Sequence, residues 1–426
     1  MEVKNFYRFN VTYEKSIFNE LKDDYFGISI SAHLVLFYEK FFSTFLRDLK
    51  KPFFIDLVSY VFARDLANIK KIDKDGNLSF KKSYQKLIDY CDGEIKNILT
   101  NREFIPKDFI DNNGSLVSEF TEKLISFQKD FFSLKSVKAF DKYDKILGKT
   151  RGELKPLFLT TPYFYFETLN DPWYKISLSI AKSALSMKDE FDLYAVLCFS
   201  EELLLRKDDI LKMIEDYSGF DGYIFWISDF DEKEISPVYL TFLIDFVEKL
   251  AEKGKPIYNL YGEYFSLILS KIGLSGYSRG LGFSENKFVD ACVTGGGQPK
   301  RFYSALLHYS ISETAITQLY SIFPNLLCNC NICQLIRNDL GISKKPSLKE
   351  IEDFFMHFDF IFDSKKHMVN LHAIEIKDVT DSSLDDIITE LSNRITFYDE
   401  YDLDLYGIRR NHLVNWLNCL EEYNSR

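Results

Sequence analysis

Gly222-Tyr223-Ile224-Phe225-Trp226-Ile227, then a run from Val238 to Lys253, then Gly254-Lys255-Pro256-Ile257-Tyr258-Asn259-Leu260: this stretch decides the fold class. The first six residues after the turn are apolar or aromatic almost throughout, with no polar alternation, as in a strand buried on both faces. The run that follows reads as a helix, and Gly254 just past it with Pro256 beyond forms a helix stop. A second apolar strand starts at once. Doubly buried strands joined by helices are the units of a parallel sheet covered on both sides.

Working outward, the same kind of run recurs at Phe26–Ser31, Pro52–Asp56, Pro156–Thr160, Tyr194–Phe199 and Gly276–Gly280. Seven or eight such strands before residue 285 predict an α/β protein built as a (β/α)8 TIM barrel, with a doubly wound open sheet as the alternative. Residues from about 64 to 150 carry helical periodicity and few strand signals, and are expected as a helical insertion. After about residue 310 the strand signal fades. The expected division is a barrel over 1–310 with its insertion, and a helical subdomain over 311–426. No internal repeat is apparent.

Composition limits the function. The 426 residues include 40 Phe, 26 Tyr and 3 Trp, and 46% are hydrophobic, which excludes a disordered or low-complexity chain. The net charge of −11 excludes a protein that coats nucleic acid through bulk positive charge, and leaves a local basic patch as the way to grip RNA or DNA. Met1-Glu2-Val3-Lys4-Asn5-Phe6 lacks the apolar core of a signal peptide, and no apolar run reaches the ~18 residues a membrane span needs. A cytoplasmic protein with no membrane segment is expected.

The sharpest local motif is Cys328-Asn329-Cys330-Asn331-Ile332-Cys333. Three thiolates so close can wrap one tetrahedral ion, and zinc is the usual occupant of closed thiolate-rich sites. His357, His367 and His372 lie downstream as sources of a fourth ligand. Such a zinc would be structural, pinning the helical tail to the barrel; structural zinc contributes about 10–16 kcal/mol in zinc-finger peptides. The alternative is three unligated cysteines near a core.

Barrel enzymes carry their reactive groups at the C-terminal ends of strands. Here those ends hold Asp56, Tyr163, Ser200-Glu201, Ser228-Asp229, Tyr261 and Ser278-Arg279. Tyr163, Trp226 and Tyr261 could sandwich a planar base, although barrel aromatics also fill cores. Gly295-Gly296-Gly297, followed by Lys300, Arg301, Phe302 and Tyr303, lets backbone amides approach an anion and adds charge and rings to grip a nucleotide. A hinge between barrel and tail is the other reading of that segment. An Asp at a strand end such as Asp56 also commonly caps the next turn.

A parallel barrel followed by C-x-C-x-x-C and a later His resembles the tRNA-guanine transglycosylases, which exchange a guanine for a 7-deazaguanine base. The likeness rests on Cys328–Cys333, on Phe53–Tyr60 with its Asp56, and on Gly219-Phe220-Asp221-Gly222-Tyr223 followed by Lys255-Pro256-Ile257-Tyr258, covering about residues 50–60 and 190–375. It implies base exchange in tRNA or DNA through a covalent carboxylate intermediate, a purine or 7-deazapurine substrate and a structural zinc, whose His ligand matches His367 or His372 best, His367 being preferred because it precedes an acidic helical stretch like the family's. It leaves room for a homodimer or a catalytic partner subunit. Asp56 would manage protons. The family's glycines and Gln after that Asp are replaced by Leu57-Val58-Ser59-Tyr60, and the position of its nucleophile falls on Ser278 or Arg279, neither a carboxylate. Glu285 and Asp290, just downstream, are then the candidate nucleophiles. The second functional reading is a barrel that keeps fold and zinc but has lost base exchange, serving as a nucleic-acid-binding or protein-interaction subunit.

Overall fold

A computed structural model describes residues 3–10, 14–63, 69–72, 76, 78–101, 114–131, 135–146, 148, 155–281, 288–290, 300–343, 345–406 and 408–426. Its strands, in chain order, are β1 (Lys4–Phe9), β2 (Gly27–Ser31), β3 (Phe53–Asp56), β4 (Lys70–Ile72), β5 (Leu78–Phe80), β6 (Leu159–Thr160), β7 (Tyr165–Phe166), β8 (Leu193–Ser200), β9 (Gly222–Ser228), β10 (Ile257–Asn259), β11 (Gly276–Gly280), β12 (Arg301–Ser304) and β13 (Tyr309–Ser312). The main sheet runs β3-β2-β1-β11-β10-β9-β8-β6, with β7 beside β8, and its pairs are parallel. Its two ends meet: Leu157 N–H donates to Phe53 O at 2.7 Å, and Thr160 Oγ1–H donates to Ile55 O at 2.8 Å. The sheet is therefore a nearly closed eight-stranded barrel, as expected, and not an open doubly wound sheet.

Aromatic side chains fill the barrel interior. Phe6, Phe54, Phe158, Tyr194 and Tyr258 form one buried cluster with Ile224 and Trp226. The rings of Phe158 and Tyr194 stack at 4.0 Å, and Phe6 meets Phe54 edge-on at 5.1 Å. Much of the aromatic excess is thus core material, and its burial supplies the main driving force for closing the barrel. Close strand packing requires glycine at Gly276, where a Cβ would lie 2.0 Å from Lys4 O across the β1–β11 seam, and at Gly27, where it would lie 2.5 Å from Pro52 O.

β1 is the strand the sequence conceals. Lys4-Asn5-Phe6-Tyr7-Arg8-Phe9 reads as mixed, yet all but Lys4 are buried. Its polar members are committed: Asn5 Oδ1 accepts from Phe26 N, and Arg8 donates to Leu260 O at 2.7 Å. The segment between β3 and β6 is mostly helical, but it opens with the small antiparallel β4–β5 hairpin. The tail likewise begins with an antiparallel hairpin, β12–β13, before its helices.

The chain returns to complete the barrel's outer layer. The helix Asp363–Asp381 lies against the β1–β2 connection and the last barrel strand: Lys365 Nζ pairs with Glu14 Oε1 at 3.0 Å, Asn370 donates to Asp24, and Arg279 of β11 meets His372. Among the described residues no helix is long and apolar enough to cross a membrane.

Candidate functional site

Asp56 ends β3 and is buried at the barrel mouth. Tyr163 O–H donates to its Oδ1 at 2.8 Å and Val58 N–H donates to the same atom at 3.1 Å. Oδ2 is buried with no hydrogen-bond partner among the described residues. Burial pushes the carboxyl above its ordinary range, while Arg8, the Val58 amide and Tyr163 oppose that shift only in part. The turn after it is strained: Val58, β-branched, sits at φ 48° in the left-handed region. Ser59 Oγ holds that turn against the Tyr163 backbone, donating to its carbonyl and accepting from its amide, both at 2.7 Å.

Aromatic rings surround this carboxyl. Tyr60 faces Tyr163 at 5.9 Å and meets Trp226 edge-on at 4.8 Å, and Trp226 lies 4.8 Å from Tyr261. The Arg8 guanidinium lies 3.9 Å from the Tyr261 ring. Trp226 and Tyr163 are fully buried and form the floor, while Tyr60 and Tyr261 are half-buried and form the accessible walls.

Two more carboxylates flank the mouth. Glu201 follows β8, and burial together with the charges of Asp229 and Glu202 raises its pKa; its Oε2 is buried with no hydrogen-bond partner among the described residues. Asp229 follows β9 at φ 66°, a conformation enriched at functional sites. Ser228 Oγ accepts from Val289 N at 3.2 Å, and Val289 packs into the barrel-interior cluster. Ser228 therefore anchors the segment that carries Asp290, which is itself exposed. Glu285 and the glycines Gly295, Gly296 and Gly297 lie outside the described residues. Ser278, one of the two positions matching the family's nucleophile, points inward and shares a hydrogen bond with Ser29 at 2.8 Å.

Arg279, Arg301 and Tyr303 do not join the mouth. They line a polar cavity of about 600 Å³ between the ends of β9–β11 and the tail. Behind it is a buried network: Glu375 accepts from Tyr303 O–H at 3.0 Å and lies 2.7 Å from His308 Nδ1, while Arg279 Nη1 lies 2.7 Å from His372 Nε2. His308, isolated in the sequence, is held at φ 54° with its ring 3.3 Å from that of Tyr264. Burial keeps His308 and His372 neutral and raises Glu375 to about 8.

Cys328, Cys330, Cys333 and His367 place their ligand atoms within 4.8 Å of one another. His367 Nδ1 lies 3.2 Å from Cys330 Sγ and 3.3 Å from Cys333 Sγ, and its Nε2–H donates to Tyr303 O at 2.7 Å. That carbonyl orients the imidazole as outer partners do in metal sites. Amides also point at sulfur: Cys330 N–H at Cys328 Sγ and Cys333 N–H at Cys330 Sγ, where Cys330 caps the helix Asn331–Leu340. Hydrogen bonds from Cys328 and Cys333 pull the Cys330 thiol down while burial pushes Cys333 up. Three sulfurs, two of them buried, and one imidazole nitrogen so close together make a donor set that fits a metal ion. His372, the other imidazole considered, lies further along the same helix and faces Arg279 instead.

The residues missed by sequence reasoning are Arg8, Tyr60 and Val289 at the mouth, and Glu375 with His308 behind the cavity. Only Arg8 carried a local sign, a lone cation inside an aromatic run. Together these elements define a parallel (β/α)8 barrel whose tail carries a Cys3His metal-ligand set. No protein-family model matches the chain, and no curated protein matches it.

Proposed function

We propose that this barrel is a divergent transglycosylase-like enzyme that exchanges a guanine or 7-deazaguanine base in tRNA or DNA. The observation that carries the reading is Asp56: a buried carboxyl with one oxygen that has no hydrogen-bond partner among the described residues, under half-buried aromatic walls, at the strand ends where barrel chemistry occurs. Tyr60 and Tyr261 are the rings on which a flat base would stack. In the exchange a carboxylate attacks the sugar C1′, the N-glycosidic bond breaks, and its electron pair leaves with the base, which takes a proton. The incoming base then attacks C1′, releases the carboxylate and gives up its own proton. Asp56, held toward its protonated form, donates and recovers that proton. Asp290 is the favoured nucleophile, because its neighbour Val289 seats in the mouth; Glu285 is the alternative.

The metal in this reading is zinc, whose closed sites take four such N/S ligands and keep no open position; its role is structural. The charge of −11 confines any nucleic acid to a local patch, with Arg8 at the mouth and Arg279 and Arg301 in the neighbouring cavity as its basic side chains.

The test is incorporation of labelled guanine into tRNA or DNA by the wild type and by Asp56→Ala, Asp290→Ala and Glu285→Ala. Incorporation lost with Asp56→Ala and with one of the other two supports the enzyme. A second reading, a nucleic-acid-binding or protein-interaction barrel without activity, draws on Ser278, which carries no carboxylate and is bonded to Ser29. No incorporation, with nucleic-acid binding equal in wild type and variants, would replace the first reading with the second.

A further inference from the structure

The cavity beside the barrel mouth has a buried cation at its wall whose donors are not all used. Arg279 is 9% exposed, and the hydrogen-bond partners its guanidinium has among the described residues are neutral: His372, and the Met368 sulfur at 3.6 Å. Its Nε is buried with no hydrogen-bond partner among the described residues, and Glu263, also in the cavity lining, is the carboxylate whose charge acts most on it. A guanidinium cannot shed its proton, so a buried one with an unmet donor is costly unless an anion completes it.

The remaining charges are segregated. The acidic side is on the barrel loops, where Glu263 pairs with Lys233 at 2.7 Å, Asp231 lies 3.9 Å from the same ammonium, and Glu234 is exposed. The opposite side is made by the tail, with Arg301 half-buried on β12 and Arg409 exposed at the rim. His308 and His412, also in the lining, are held neutral by burial and add no charge of either sign. Four cations against three carboxylates is a local positive excess in a chain of net charge −11. The volume of about 600 Å³ suits a ligand of nucleotide size rather than a lone ion.

We propose that this cavity binds a phosphate-bearing ligand, with the Arg279 guanidinium taking phosphate oxygens and Arg301 and Arg409 closing on the same group from the tail. Arginine suits the task because its fork offers parallel N–H donors to a tetrahedral anion. The His372–Glu375–His308 network behind Arg279 acts as positioning structure. The shared chemistry is a sugar phosphate, which a free nucleotide or a nucleic-acid strand can supply. The inference does not rest on base exchange.

The experiment titrates the full-length protein calorimetrically with ribose 5-phosphate, which has no base to occupy the barrel mouth, and with a single-stranded DNA oligonucleotide. Binding of ribose 5-phosphate at one site, weakened at least tenfold in Arg301→Ala and lost in Arg279→Met, is the expected result for a free ligand. Binding of the oligonucleotide alone, with the same response to the variants, assigns the phosphate to a strand. Arg301→Ala with Arg409→Ala, both on the accessible side, keep the test decisive if Arg279→Met does not fold. No binding of either probe, or affinity unchanged in the Arg301→Ala/Arg409→Ala double variant, overturns the proposal.

Discussion

His367 Nε2 donates to the carbonyl oxygen of Tyr303 at 2.7 Å, and this one bond joins the metal-ligand set to the hairpin that walls the cavity. Because a carbonyl can only accept, the proton is on Nε2 and the Nδ1 lone pair faces the sulfurs. The imidazole is oriented for a metal, and a metal bound there would hold β12 in place through the imidazole.

Removing the metal should therefore loosen the tail before the barrel. A chelator, or Cys330→Ser, is expected to release about one metal equivalent and to lower the melting temperature, since closed sites of this kind contribute several kcal/mol or more to folding. Metal analysis with calorimetry checks it. A purified protein without stoichiometric metal, melting unchanged in Cys330→Ser, would sink the assignment.

The tail is also pinned by a buried charge pair. Lys365 Nζ and Glu14 Oε1 are 3.0 Å apart with both side chains about 2% exposed, while Glu14 Oε2 accepts from Asn10 N. Lys365→Met should cost about 3–5 kcal/mol by removing the ammonium that faces the buried Glu14 carboxylate, and the double variant Lys365→Met/Glu14→Leu should recover most of it. Urea unfolding of the three proteins reads the cycle; equal losses in the single and double variants would show that packing, not charge, matters there.

How much of this was legible beforehand follows from where the information lies. The barrel strands β8, β9 and β10 were readable because double burial demands continuous apolar residues. β1 was not, because Asn5 and Arg8 spend their polarity on partners far along the chain, Phe26 and Leu260. The metal cysteines were readable because their spacing is local. The choice of His367 over His372 was left open, since it depends on which face of one helix meets the cysteines. The mouth carboxylate Asp56 was found from its strand end alone, whereas Tyr60 and Val289 reach it only through folding. The Glu375 network was invisible, being assembled from residues on separate elements.

Glu375 should make stability depend on pH. It is enclosed by Tyr303, His308 and His372, with Arg279, Arg394 and Asp378 adding charge, and burial raises it from 4.5 to about 8. Between those values the folded protein keeps a proton that the unfolded chain has lost, so stability falls as pH rises, by at most roughly 1.4 kcal/mol per pH unit from this group. Glu375→Gln should flatten the slope between about pH 5 and about pH 8. Urea midpoints of both proteins across that range measure it, and parallel slopes would show that Glu375 is ionised in the fold.

The last prediction concerns the Tyr163–Asp56 hydrogen bond, 2.8 Å long and buried on both sides. The phenol stabilises the carboxylate form, so it is one of the forces holding the Asp56 pKa below where burial alone would put it. Tyr163→Phe should therefore raise that pKa further, at a stability cost of about 0.5–1.5 kcal/mol for the lost bond. Carbon-13 NMR of the Asp56 carboxyl through a pH titration reads the shift directly. If base exchange occurs, its pH profile should move upward with the carboxyl, because the same proton is donated to the leaving base. A carboxyl that titrates lower or unchanged in Tyr163→Phe would mean that the phenol does not act on Asp56, leaving Arg8 and the Val58 amide to oppose its burial.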